Sequence, residues 1–149
     1  MKTEIIYIHQ EEIEKATLRV NKGHSSLNQL IEIIQRETYK EKKISVSKEG
    51  KQYQLNCKHI TYIESEDGKI IVHTNQKEFI SKKRLYELEK ELPEDFVRVG
   101  KGIILNLNQV DFYQPQMNGL MKAVLLNQDV VFISRKYLKE VRMRIKKEI

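Results

Sequence analysis

The chain has no tryptophan, two prolines, six glycines and a single cysteine, Cys57. One cysteine forms no intrachain disulfide, and a reducing cytoplasm is the simplest compartment for such a chain. His9, His24, His59 and His73 stand singly, without the paired spacing of a zinc site. No apolar run approaches the ~20 residues needed to cross a bilayer. Ile5-Ile6-Tyr7-Ile8, preceded by Glu4, is too short for the core of a signal peptide. Gly-x-x-x-x-Gly-Lys-Ser/Thr, which cradles nucleotide phosphates, is missing, as is the Gly-x-Ser-x-Gly elbow of hydrolases. The carboxylates of Glu64, Glu66 and Asp67 cluster at a turn without a second acid–base set. No metal, no cofactor and no enzymatic activity are expected.

What the chain has is charge. Of 149 residues, 32% are charged and 40% hydrophobic, with a formal net charge of +6. The surplus is uneven: residues 1–43 hold 8 Lys/Arg against 7 Asp/Glu, and residues 44–149 hold 19 against 14. A basic excess of +5 on the larger part favours a polyanionic partner there, although solubility alone also accounts for it.

Residues 3–8 and 16–20 have the composition of β-strands, separated by the acidic turn around Gln10-Glu11-Glu12. Ser26 and Gln29 have capping-box spacing, and Leu27, Leu30, Ile31 and Ile34 follow at i, i+3, i+4, i+7. An amphipathic helix to about Thr38 is expected. This β–β–α extension, residues 1–43, is too small to stand comfortably alone, and dimerisation or partner docking is its expected role. The charged connector from Glu37 to Lys43 ends it.

Residues 44–149 read as mainly β, α+β overall. About eight short strands fill 44–133, with hairpins at Lys48-Glu49-Gly50-Lys51 and at Glu66-Asp67-Gly68, whose Asp-Gly is a strong turn signal. Ser81 is placed to cap a helix with Leu85, Leu88 and Leu92 inward, stopped by Pro93. Ser134 is placed to cap a last helix carrying Leu138, Val141 and Ile145, with Arg135, Lys139, Arg142 and Lys146 on a shared stripe.

Phe96-Val97-Arg98-Val99-Gly100-Lys101-Gly102-Ile103-Ile104-Leu105-Asn106 stands out among these segments. Ile103 to Leu105 is an unbroken apolar run, as expected of a strand buried on both faces. Gly100 and Gly102 lack Cβ atoms, which lets the backbone bend sharply and approach another molecule closely. Lys101 between them reads either as a phosphate contact or as a solvated lysine on a hairpin turn. Asn106 is expected to brace that turn through backbone hydrogen bonds.

In order and at these separations, four segments resemble the LytTR family of bacterial DNA-binding domains over about residues 44–147. They are Ile60-Thr61-Tyr62-Ile63-Glu64-Ser65, Leu85-Tyr86-Glu87-Leu88-Glu89 with Leu92-Pro93, the segment from Phe96 to Leu107, and Val130-Val131-Phe132-Ile133-Ser134-Arg135-Lys136-Tyr137. The resemblance implies an elongated stack of small antiparallel sheets, not a helix-turn-helix. It implies that loops at one sheet edge enter successive major grooves of double-stranded DNA. Gly68 and Lys69 correspond to a first base-contacting loop. Gly100, Lys101 and Gly102 correspond to a backbone-contacting turn, where the family often has Ser-Lys-Ser. Arg135, with Lys136 beside it, corresponds to the second base-reading position. The chain resembles the stand-alone type of regulator, without a receiver domain. That type implies a homodimer on repeated half-sites, and control by a small membrane protein rather than by phosphotransfer. A protein-interaction module whose basic surface serves only solubility is the alternative.

Overall fold

The structure, a computed structural model, describes residues 2–36 and 41–147. The chain falls into two compact units, Met1–Lys40 and Glu41–Ile149.

In the first unit the expected helix forms as α1, Leu27–Arg36, with Leu27, Leu30, Ile31 and Ile34 half-buried and its other described side chains exposed. Its expected end near Thr38, like part of the connector, lies outside the described residues. The two expected strands do not form: residues 3–8 and 16–20 carry no β-ladder. Only the turn between them appears, closed by Glu12 N donating to His9 O at 3.0 Å. Ile5, Ile6, Tyr7 and Ile13 are left 75–92% exposed. Strand composition without a partner strand does not make a strand, because the ladder supplies the hydrogen bonds.

The second unit holds ten strands rather than about eight. β1 (Lys43–Lys48), β2 (Lys51–Asn56), β3 (Ile60–Glu66), β4 (Lys69–Thr74), β5 (Glu78–Ser81), β6 (Phe96–Gly100) and β7 (Ile103–Asn106) form one sheet, in the order β2-β1-β5-β4-β3-β7-β6. Every neighbouring pair is antiparallel. β8 (Val110–Pro115), β9 (Met121–Leu125) and β10 (Val130–Ile133) form a second sheet, in the order β10-β9-β8. Glu49 and Gly50, and again Asp67 and Gly68, adopt positive φ, which gives two tight hairpins of the kind their sequences announce. α2 (Leu85–Glu91) buries Leu85 and Leu88, and Leu92 follows at its end. It begins at Leu85 rather than after Ser81, because Ser81 still pairs with Ile70 as the last residue of β5. α3 (Leu138–Lys147) follows a short 3-10 turn at Arg135–Tyr137. Ser134 stands before that turn without a side-chain cap bond.

Two cores result. Ile44, Val46, Ile60, Ile63, Val72, Phe79 and Ile104 pack with Leu85 and Leu88 of α2. Val97, Val99, Leu105, Ala123, Leu125, Val131 and Ile133 pack with Val141 of α3. β7 supplies both, Ile104 to the first and Leu105 to the second, each fully buried. Each such side chain contributes roughly 1.5–3 kcal/mol of hydrophobic stabilisation. The apolar run of β7 therefore reflects burial on both faces.

Candidate nucleic-acid interface

Two backbone hydrogen bonds assemble one edge of the second unit. Ser65 N, at the end of β3, donates to Gly102 O at 2.8 Å, which sets the β3–β4 turn beside the β6–β7 turn. Ser134 N, after β10, donates to Val99 O at 2.9 Å, which sets Arg135 beside the same β6–β7 turn. Gly68 and Lys69, then Gly100 to Gly102, then Arg135 and Lys136 thus stand on neighbouring connections, although they come from distant parts of the sequence. Lys69, Lys101, Arg135 and Lys136 are all exposed.

Some cations of the second unit are paired internally. Others among the described residues, such as Lys51, Lys77, Lys82 and Lys90, are exposed and as unpaired as those of this edge; what sets the edge apart is that neighbouring connections gather them. Arg98 is tied to Glu89, Lys83 to Glu91, and Arg144 to Glu140 and to the carbonyl of Glu94. Among the described residues, Lys69, Lys101 and Arg135 make no ion pair and no side-chain hydrogen bond. The Lys136 ammonium lies 5.8 Å from the ring of Tyr137 and is likewise without a carboxylate partner. Charges satisfied internally hold the fold together, whereas unsatisfied exposed cations are open to an anionic partner. Exposed Glu66 and Asp67 sit beside Lys69, so the β3–β4 turn is the least cationic of the three.

Arg135 is also positioned by a fourth connection, the turn between β8 and β9. Gly119 adopts φ +83°, and a Cβ built on it would lie 2.7 Å from Cδ of Arg135 and 3.3 Å from its Nε. The arginine stem therefore lies against bare backbone. Gly119 N donates to Gln116 O at 3.2 Å, and Leu120 N donates to Asn118 Oδ1 at 3.2 Å, closing that turn. Arg135, with Lys139 and Arg142 of α3, lines an open cleft of about 420 Å³ together with Leu138 and Met143.

Two features of the β6–β7 turn differ from the sequence reading. Neither Gly100 nor Gly102 has positive φ, so no sharp bend demands glycine. Neither lacks room for a side chain, since a Cβ would meet nothing closer than 4.0 Å at Gly100 and 3.5 Å at Gly102. Asn106 does not brace this turn: it stands at the far end of β7, 2% exposed, where it donates from Nδ2 to Ile60 O at 2.8 Å and accepts from Asn108 N at 3.1 Å, bracing the β7–β8 connection instead. Sequence reasoning missed Arg98, whose guanidinium reaches the turn, and Gly119. A lone arginine between buried Val97 and Val99 was the available signal for the first. Gly119 offered only an Asn-Gly turn.

Little here suits covalent or acid–base chemistry. Burial lifts the Cys57 thiol to about 11, leaving it protonated and inert near neutrality. Tyr62 is pushed up to about 12 by burial and then by nearby Glu64, and its ring stacks on His73 at 4.1 Å. His73 Nε2 lies 2.7 Å from Glu64 Oε1 within the sheet. Among the described residues no helix is long and apolar enough to cross a membrane, and no cluster of metal-ligating side chains occurs.

Comparison with known proteins agrees with the strand pattern. Residues 50–146 match the family model of the LytTr DNA-binding domain. An uncharacterized HTH-type transcriptional regulator of Staphylococcus aureus (strain NCTC 8325 / PS 47) is 31% identical over 91 residues, which cover 61% of this chain and 62% of that protein. Its counterpart in the bovine strain RF122 / ET3-1 is 38% identical over 72 residues, 48% of this chain and 49% of the relative. The chain thus matches less than two thirds of either relative's length. Among solved structures, the LytTr DNA-binding domain of a Bacillus cereus protein superposes with a TM-score of 0.66. That match has 22% identity and covers 69% of this chain and 95% of the other.

Proposed function

This chain belongs to the LytTR family of DNA-binding domains, and from that premise we propose that it is a sequence-specific, double-stranded DNA-binding transcription regulator. Membership in a DNA-binding family sets an enzymatic role aside. The observation that carries the proposal is the single edge on which Lys69, Lys101, Arg135 and Lys136 stand exposed without carboxylate partners. Despite the HTH label of the relatives, no two α-helices are consecutive in the chain among the described residues, so base reading falls to loops.

In this reading Lys101 is a point charge on the phosphate backbone and carries no sequence information. Arg135 presents a bidentate fork suited to guanine O6 and N7, a contact worth about 1–3 kcal/mol of discrimination. The Gly68-Lys69 turn enters the neighbouring major groove. Lys139 and Arg142 extend the cationic surface away from Arg135. Repeated half-sites bound by a homodimer follow from the family resemblance. Residues 1–43 are proposed as the dimerising or docking unit, with a small membrane protein as the restraining partner. Exposed Ile5, Ile6, Tyr7 and Ile13 support an interaction role for that segment.

Binding to duplex should weaken by orders of magnitude between about 50 and 200 mM salt, as release of condensed counterions requires. Selection of bound duplexes from a random pool should return a repeated motif. Arg135→Ala should lose preference for that motif while retaining affinity for random duplex. Equal losses on both would remove Arg135 from base reading, and salt-insensitive binding would favour a protein-interaction module instead. Should a truncated chain of residues 44–149 keep the oligomeric state of the full chain, dimerisation through the first unit is wrong.

A further inference from the structure

The β6–β7 turn is held with its carbonyls turned inward. Arg98, on β6 between fully buried neighbours, donates from Nε to Gly100 O at 3.0 Å and from Nη2 to Lys101 O. Its remaining terminal nitrogen, Nη1, donates to Glu89 Oε1 of α2 at 2.8 Å, so the guanidinium is clamped at both ends. The next carbonyl, Gly102 O, accepts from Ser65 N at 2.8 Å. Three successive carbonyls are thus fixed against the body of the protein. A trans peptide points its N–H opposite the preceding C=O. The amides of Lys101 and Gly102 therefore face away from Arg98, and neither has an acceptor among the described residues.

The glycines fit the same picture. Their φ angles do not require glycine and their surroundings leave room for a Cβ. The lack of a side chain at Gly100 and Gly102 has another consequence: the outward amides stay uncovered. Two main-chain donors beside an unpaired ammonium form a concavity of the sort that binds phosphate oxygens.

We propose that the Gly100-Lys101-Gly102 turn is a main-chain nest for one phosphate of the DNA backbone, and that Arg98 is the positioning residue that forms it. The proposal rests on the DNA-binding reading above and adds a donor set and a bracing residue to it. Arg98 does not touch the DNA. It acts through the carbonyls it holds, and Glu89 acts through Arg98. The nest replaces with main-chain amides what two hydroxyl side chains would supply from a Ser-Lys-Ser turn.

The test is a methylphosphonate scan, in which single phosphates of a bound duplex are replaced in turn by the uncharged analogue. The full-length chain should lose about tenfold in affinity at one phosphate position per bound copy. Arg98→Met combined with Glu89→Gln leaves the net charge unchanged. That double variant should bind specific and random duplexes equally more weakly, and should become indifferent to substitution at that one phosphate. Gly102→Ala has room for its Cβ, so it should melt like the parent yet lose affinity on every duplex and soften the penalty at the same position. A double variant that keeps the parent's full penalty at every phosphate overturns the nest. So does Gly102→Ala binding and scanning like the parent. If no single phosphate matters to the parent and its binding ignores salt, the DNA reading itself falls, and the nest falls with it. Sensitive phosphates, none of them relieved in the variants, overturn the nest alone.

Discussion

Gly119→Asn separates the conformational role of a glycine from its role as a neighbour. At φ +83° an alanine would be strained, at roughly 1–2 kcal/mol, but asparagine visits that region with little penalty. Asparagine does bring a Cβ, and that atom would sit 2.7 Å from Cδ of Arg135, closer than two carbons can approach. Arg135 is exposed, so its side chain yields first by changing rotamer, and the turn stays intact. Cδ lies midway along the side chain, so the change swings the guanidinium away from its present direction. Fold stability should then shift by less than about 1 kcal/mol, within the range of surface substitutions and turn residues. Discrimination for the selected DNA site should fall by the value of one bidentate contact, about 1–3 kcal/mol, or roughly 5- to 150-fold. Fluorescence anisotropy with the selected and a scrambled duplex at one salt concentration gives the ratio, and thermal melting gives the stability. Adding Arg135→Ala to Gly119→Asn should cost nothing more in specificity, because both act on one contact. If Gly119→Asn keeps the parent's specificity ratio while Arg135→Ala abolishes it, the turn does not position the arginine.

Other perturbations probe the rest of the edge and its support. Lys101→Ala should weaken all duplexes alike and reduce the slope of log affinity against log salt by about 1; a change confined to one sequence would make Lys101 a base reader. Asn106→Ala leaves the buried Ile60 carbonyl without its donor at 2.8 Å and frees Asn108 N, and should cost about 2–4 kcal/mol in denaturant unfolding. A loss under 1 kcal/mol would mean that water or a neighbour takes over the bracing. The Cys57 thiol is raised from 9.0 to about 11, so the folded state holds its proton while the unfolded chain gives it up. This contribution, on the order of 2 kcal/mol, is fully present below pH 9 and is lost as pH rises towards 11. Cys57→Ala should show a flatter stability profile across that window, and parallel profiles would discount the effect.

The second unit was legible because its signals are local. Alternate burial in β1 follows residue type at period two, with Ile44 and Val46 inward and Lys43 and Ser45 outward, and Asp67-Gly68 names its own turn. The unbroken run of β7 announced burial on both faces. Where the reading erred, pairing overrode propensity. Residues 3–8 have strand-forming side chains but no neighbour to complete a ladder, and Ser81 was claimed by β5 before it could cap α2. Lys101 and Arg135 were reached through the family pattern. Arg98 and Gly119 were not, since their roles lie in distances across the fold: a guanidinium to two carbonyls, a missing Cβ to an arginine stem. Nothing in one-dimensional spacing carries those distances.

The double allegiance of β7 bears on how the unit opens. Ile104 and Leu105 are adjacent in the chain yet belong to different cores, so neither core can loosen without pulling on the strand that completes the other. Amide hydrogens on β7 should exchange with solvent only through whole-unit unfolding, and should report one opening free energy for both cores. The turn bearing Lys101 is joined directly to that slowest-exchanging strand, whereas the β8–β9 turn hangs from the smaller sheet. Under thermal agitation the first would keep its geometry longest. The edge thus has a fixed end and a compliant end, and a partner laid along it would register on the fixed one first.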